Sequence, residues 1–279
     1  MQPITDELRH WIVAQIEAGC QPAAVIEAMR TSGWAEPVAI AAMAQTLRGR
    51  LAELGEPQAM PSAMPEPALD GAPAVLMAAG RQVQVLATLR QPRVVVFGGL
   101  LSDEECSGLM ALAAPQLVRS ETVDNATGGT EINAARTSDG MFFERGQGPL
   151  IQTIEQRIAE LLRWPLAHGE GLQILRYRPG AEYRPHHDYF DPQHPGTARV
   201  LQRGGQRVGT LVMYLNTPAG GGATTFPDVG LEIAPVRGNA VFFSYERAHP
   251  DTRTLHGGAP VTAGEKWVAT KWLRQRVFT

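Results

Sequence analysis

Apolar residues recur at helical spacing early in the chain and at strand spacing later. Leu8, Trp11, Ile12 and Ile16 share one helical face, with Thr5 placed to cap that helix and Gly19 to end it. Val25, Ile26 and Met29 mark a second helix that Pro22 opens and Gly33 closes. Ile40, Met43 and Leu47 mark a third after Pro37. Residues 1–55 are therefore expected to form a small helical bundle. Residues 56–79 carry Pro57, Pro61, Pro65, Pro67 and Pro73 among Ala, Met and Gly, and read as an extended linker. From about Val83 the pattern turns to β, so residues 80–279 form the expected main domain. Residues 208–216 and 240–245 are near-continuous apolar runs of the kind found in buried strands. Two helices interrupt them. Ser102-Asp103-Glu104-Glu105 is a capping box that starts one through Leu109 and Leu112. Ile151, Ile154, Ile158 and Leu162 stripe a second over residues 148–163. Residues 121–133 read as a lid or a plain hairpin loop, and 191–207 as a flexible connection.

Composition removes several function classes. The chain has 279 residues, is 44% hydrophobic and carries a formal net charge of -3. That balance gives no nucleic-acid or membrane-surface signature. No apolar run is long enough to cross a bilayer. Cys20 and Cys106 form neither a disulfide framework nor a metal motif, and residues 1–7 lack the apolar core of a signal peptide. The expected location is cytoplasmic.

The chemistry is concentrated in four residues. In Tyr183-Arg184-Pro185-His186-His187-Asp188-Tyr189-Phe190, strand alternation points His186 and Asp188 one way and His187 the other. His256 follows in Leu255-His256-Gly257-Gly258, far along the chain, as expected where a barrel brings distant strands together. Beyond a Gly-Gly, Pro and Ala-Gly stretch lies Lys266, expected on the neighbouring strand. Taken singly, each has an ordinary explanation: a core histidine, a turn aspartate, a loop histidine, a solvated lysine. As an ordered set, two imidazoles and a carboxylate make a facial triad that leaves three adjacent positions open on ferrous iron. A lysine beyond it can hold the far carboxylate of a chelating dicarboxylate. That is the chemistry of a 2-oxoglutarate-dependent Fe(II) oxygenase.

From about Pro92 to Trp272 the chain resembles the collagen-type prolyl 4-hydroxylase family of such dioxygenases. The resemblance is carried by Arg136-Thr137-Ser138-Asp139-Gly140, Leu175-Arg176-Tyr177, the His186 motif, Met213-Tyr214-Leu215-Asn216 and Gly221-Gly222-Ala223-Thr224-Thr225-Phe226-Pro227. Leu255 to Val261 and Gly264 to Trp272 complete it. Ala181 departs from the pattern, where the family often has Gln. The resemblance implies a mainly β fold with flanking helices, a double-stranded β-helix or jelly roll, besides the N-terminal helical unit. It implies Fe(2+) held by His186, Asp188 and His256, with 2-oxoglutarate as cosubstrate and L-ascorbate keeping the iron ferrous. Lys266 would pair with the cosubstrate's distal carboxylate, and Tyr177 and Thr224 would hydrogen-bond it. Tyr183 and Arg207 would face the substrate, and Trp272 would lie near the metal. The implied reaction uses dioxygen to hydroxylate C4 of proline in a peptide or protein, releasing succinate and carbon dioxide. Hydroxylation of another residue or a small molecule is the alternative. So is a catalytically silent binding module working through a protein partner of the helical unit. The carboxylate of Asp188 argues against a halogenase, which needs that position for halide.

Overall fold

The computed structural model describes residues 5–17, 20–53, 64–120, 122–123, 126–131 and 135–279. The chain divides into two units, Met1–Ser62 and Ala63–Thr279. In the first, helices Asp6–Glu17, Pro22–Thr31 and Glu36–Glu53 match the three apolar stripes. Thr5 Oγ1 accepts a bond from the Leu8 amide at 3.3 Å, which caps the first helix. Pro22 sits in the first turn of the second, where its missing N–H costs nothing. Gly33 takes a left-handed φ of 90° just after that helix. Gly19 lies outside the described residues. Ile12, Val25, Met29, Ala39 and Ala42 form the core, and Trp34 packs against it. Ile40 is exposed instead of facing that core. The third helix turns its small Ala39 and Ala42 inward.

The second unit is built on two antiparallel sheets. Among the described residues the larger has nine strands. At its centre Ala240–Ser244, Arg207–Tyr214, Lys266–Arg274 and Leu172–Tyr177 lie side by side. The smaller sheet runs Leu231–Ile233, Thr224–Phe226, His256–Gly258, Tyr183–His186. Alternation explains why the central strands carry apolar residues on both faces. Leu211, Met213, Phe242, Trp267 and Ala269 pack outward under helices Asp103–Ala113 and Gly148–Leu162. Tyr214, Val241, Phe243 and Val268 point inward between the sheets. A strand buried on both faces has no polar face to show.

Both helices form as the sequence predicts. Ser102 Oγ accepts from the Glu105 amide, and the Glu105 carboxylate accepts from the Ser102 amide. Glu105 is also gripped by Arg157 at 2.8 Å through two guanidinium nitrogens, tying the two helices together. The apolar stripe of Gly148–Leu162 is buried at Ile151, Ile154, Ile158 and Leu162. The stretch 191–207 is not merely a connection, because Thr197–Leu201 forms a short helix. Within 121–133, Thr122–Val123 pairs with Thr130–Glu131 as a hairpin. Glu121, Asn125 and Asn133 lie outside the described residues.

The proline-rich segment differs from the linker expected over residues 56–79. Residues 54–63 lie outside the described residues, but from Met64 onward the segment packs on the second unit. Pro65 and Pro67 are buried, and Met64 and Leu69 pack against the main core. The Glu66 amide donates to Leu162 O at 2.9 Å, and the Glu66 carboxylate pairs with Arg93. Val75–Ala78 pairs with Arg81–Leu89 at the sheet edge. Composition suggested solvation, yet a proline presents three ring methylenes and packs well where no amide is required. A chain lacking residues 1–62 should therefore keep the melting temperature of its oxygenase unit. Deletion to residue 79 should lower it by about 5–10 °C, since several buried side chains and an edge strand are lost. Thermal melts of the two truncated chains decide this; equal melting temperatures would return residues 64–79 to the role of linker.

Candidate metal centre and cosubstrate pocket

His186 ends the strand Tyr183–His186, and His256 begins the strand His256–Gly258 directly opposite it. Asp188 lies two residues beyond His186, just past the strand end and not within it. Its Oδ1 is 3.5 Å from His186 Nε2, and its Oδ2 is 3.4 Å from His256 Nε2. The three candidate ligand atoms lie within 4.8 Å of one another, a spacing one cation can bridge. Both imidazoles are oriented from behind. His186 Nδ1 is 2.9 Å from Arg184 O, and His256 Nδ1 is 2.9 Å from Thr254 O. A carbonyl only accepts, so each Nδ1 carries the proton and each Nε2 keeps its lone pair for the centre. Burial lowers the His186 pKa further, favouring the neutral ring that ligates. Burial alone would raise the Asp188 carboxyl, but its place between the two imidazoles outweighs burial. The carboxyl is held well below its ordinary range. One carboxylate and two neutral Nε2 atoms on one side of a cavity fit ferrous iron with open positions.

Asp188 has support that no sequence pattern announced. Thr210 Oγ1 donates to Asp188 Oδ2 at 2.7 Å, and Tyr245 OH lies 3.0 Å from the same hydroxyl. Thr210 lies on a strand of the larger sheet and Tyr245 just past the end of the neighbouring one, 22 residues or more along the chain from Asp188. Thr210→Val keeps the shape and removes the donor. It should weaken iron binding about 10–100-fold, as loss of an outer partner of a metal ligand typically does. Titration with Fe(II) under anaerobic conditions measures it; unchanged affinity would leave Thr210 a packing residue.

Lys266 enters from the opposite wall. It does not lie on the strand next to His256, as the turn residues between them suggested: Lys266–Arg274 pairs with Leu172–Tyr177 and Arg207–Tyr214 in the larger sheet, whereas His256–Gly258 belongs to the smaller. Between them Val261–Ala263 pairs with Gly220–Gly221, and Gly264, with φ of 74°, turns the chain into the larger sheet. Lys266 is 4% exposed, its ammonium 5.5 Å from the Tyr177 ring centre and 5.8 Å from that of Tyr214. Among the described residues no carboxylate pairs with it. Burial pulls its pKa down to about 8. A buried cation without a counter-ion, facing a metal triad across a cavity, fits the distal carboxylate of 2-oxoglutarate.

The remaining sequence candidates fall in two groups. Tyr177, Thr224, Tyr183 and Trp272 line the same cavity as the triad and Lys266. Thr224 Oγ1 accepts from Tyr214 OH at 2.8 Å, which leaves its own proton for a ligand. Tyr183 stacks on His186 with ring centres 3.7 Å apart, and Arg136 lies over the Tyr183 ring at 4.9 Å. Trp272 Nε1 is buried with no acceptor. Arg207 does not line the cavity. Its guanidinium donates twice to Glu170, at 2.7 and 3.0 Å, and covers the outer side of Trp272. Glu170 was invisible in the sequence because its partner lies 37 residues away.

Comparison with known proteins agrees with this geometry. Residues 172–274 match the model of the 2OG-Fe(II) oxygenase superfamily, a span containing the triad, Lys266 and Thr224. The chain is 40% identical to probable prolyl 4-hydroxylase 3 of Arabidopsis thaliana, over 66% of this chain and 69% of that protein. It is 43% identical to prolyl 4-hydroxylase 1 of the same plant, over 66% and 70%. Among solved structures it is similar to the viral collagen prolyl hydroxylase of Paramecium Bursaria Chlorella virus-1 in complex with 2OG. That likeness has a TM-score of 0.50 and 30% identity, and covers 65% of this chain and 95% of the viral one.

Proposed function

This chain belongs to the prolyl 4-hydroxylase family of 2-oxoglutarate-dependent Fe(II) oxygenases, and we propose that it hydroxylates C4 of proline in a peptide or protein. It is thus a dioxygenase that takes Fe(2+) and 2-oxoglutarate. The observation that carries the proline reading is the shape of the approach to the triad. Tyr183 and Trp272 both line the cavity, Tyr183 stacked on His186 and Trp272 bordered by Arg207. Two aromatic walls suit a flat, apolar pyrrolidine ring, which presents C–H groups and no charge to the metal. The names of the plant relatives support the same substrate.

Bound Fe(II) with dioxygen supplies the oxidising power, converting 2-oxoglutarate to succinate and carbon dioxide while one oxygen enters the substrate. The protein's part is placement. His186, Asp188 and His256 would occupy one face of the metal, and Lys266, Thr224 and Tyr177 would fix the cosubstrate. A silent binding module is disfavoured by Lys266, since an unpaired buried ammonium costs stability and gains nothing without an anion to bind.

Proline peptides supplied with Fe(II), 2-oxoglutarate and ascorbate should gain the mass of one oxygen atom, fragmenting as 4-hydroxyproline. Hydroxylation of a different residue in those peptides, or succinate formation without any modified peptide, would sink the proline reading and favour another substrate.

A further inference from the structure

The cavity wall continues outward as a ladder of rings and guanidinium groups. Arg207 lies 4.0 Å from the Trp272 ring centre and 4.7 Å from that of Phe190. Arg274 follows, 4.9 Å from Phe190 and 5.3 Å from Phe278, and Arg203 closes the series 4.6 Å from Phe278. The ladder floors a groove of about 770 Å³ outside the metal cavity. Phe142 lines the same groove, is 55% exposed, and has its ring centre 6.4 Å from that of Trp272. The groove therefore begins where the cavity ends.

Its charge is one-sided. Arg145, Arg199, Arg203, Arg207 and Arg274 line it, against the carboxylates of Glu144, Glu170 and Thr279. Glu170 is shared, bonded to Arg207 and 3.5 Å from Arg274 Nη1. That nitrogen has no hydrogen-bond acceptor although the Arg274 side chain is 1% exposed. Arg203 uses Nε to reach Thr279 O, and Arg199 is exposed on the short helix Thr197–Leu201. The chain as a whole carries a net charge of -3, so this concentration of cations is local. Guanidinium groups backed by aromatic faces are well suited to carboxylates, which they bind through two parallel N–H bonds.

We infer that this groove binds an acidic stretch of the substrate polypeptide beside the residue being hydroxylated. The inference rests on the substrate being a polypeptide with its target proline at the triad. Trp272 then marks the passage from target ring to flank. The far end of the ladder lies within about 25 Å of Trp272, which limits the acidic residues to roughly seven extended positions on one side of the proline. Binding by exposed arginines makes the preference ionic and sensitive to salt.

Peptides with one proline, carrying Glu, Gln or Lys within that reach on either side, test this with the full chain. At low salt kcat/KM should be about three- to tenfold higher for the Glu peptide than for the Gln peptide on one side, and less so at high salt. In Arg199→Glu/Arg203→Glu the ratio should fall to one or invert toward the Lys peptide. A ratio within one enzyme is independent of how much of it is active. Equal kcat/KM for all three peptides, with hydroxyproline formed, would remove the acidic flank and keep the proline reading. If no peptide is hydroxylated, fluorescence anisotropy with alanine in place of proline still reads the groove. Tighter binding of the Glu peptide than of the Gln peptide supports the inference without the proline reading, and equal binding overturns it.

Discussion

Asp188→Ala should give a folded chain that makes no detectable succinate. The side chain supplies the sole carboxylate among the three candidate ligands, and both imidazole Nε2 atoms lie 3.4–3.5 Å from it. Without it two neutral rings remain, and affinity for a divalent cation falls with ligand number and charge. The fold should persist because the two sheets are held by cores on both faces of the central strands, remote from one carboxylate. His186→Ala and His256→Ala should behave alike. Calorimetric iron titration and succinate assay check the set. Wild-type iron affinity with continued turnover in any of them would withdraw that residue from the metal site.

Lys266→Ala should act on 2-oxoglutarate instead of iron. It would leave the distal carboxylate desolvated and unpaired in a closed pocket, which typically costs about 2–5 kcal/mol, or tens- to thousands-fold in affinity. The pH dependence follows from the same burial. The Lys266 pKa of about 8 means that the free protein holds the charge below that value and loses it above. The cosubstrate's carboxylates stay ionised throughout, so binding above pH 8 must take up a proton. Affinity should be flat below pH 8 and fall about tenfold per unit above it. Lys266→Arg should move the break to higher pH, because guanidinium does not deprotonate in this range. A 2-oxoglutarate affinity unaltered in the alanine variant, with the same profile, would show that another cation anchors the dicarboxylate.

Much of the site was legible because metal chemistry leaves short, ordered signatures. His186 and Asp188 are two residues apart, and the Lys266 strand carries a continuous motif. The helices were legible through caps and stripes: Ser102 with Glu105, and Ile151 to Leu162. The supporting groups were not. Thr210 and Tyr245 brace Asp188, and Glu170 holds Arg207, through contacts made only when distant strands are registered. A threonine in a strand, or a glutamate just before one, reads the same whether it braces a functional group or faces water. The sheet carrying Lys266 was misplaced for a related reason. Turn residues announce that the chain reverses, but not which sheet receives it. The prolines at 65 and 67 misled because their composition matches linkers, while burial depends on the surface they meet.

The pairing of His256 with His186 carries a further consequence. The two strands meet through a bulge between His256 and Gly258, and Gly257 fits there because a Cβ would come within 2.9 Å of Tyr183 O. Since alternate residues face opposite ways, a slip by one position would turn one histidine out of the centre. A mispaired barrel could then be well folded by most measures yet unable to load. Iron loading would therefore report strand alignment. Bound metal per chain counts correctly assembled molecules, and any bulky replacement of Gly257 should lower that count before it lowers secondary structure.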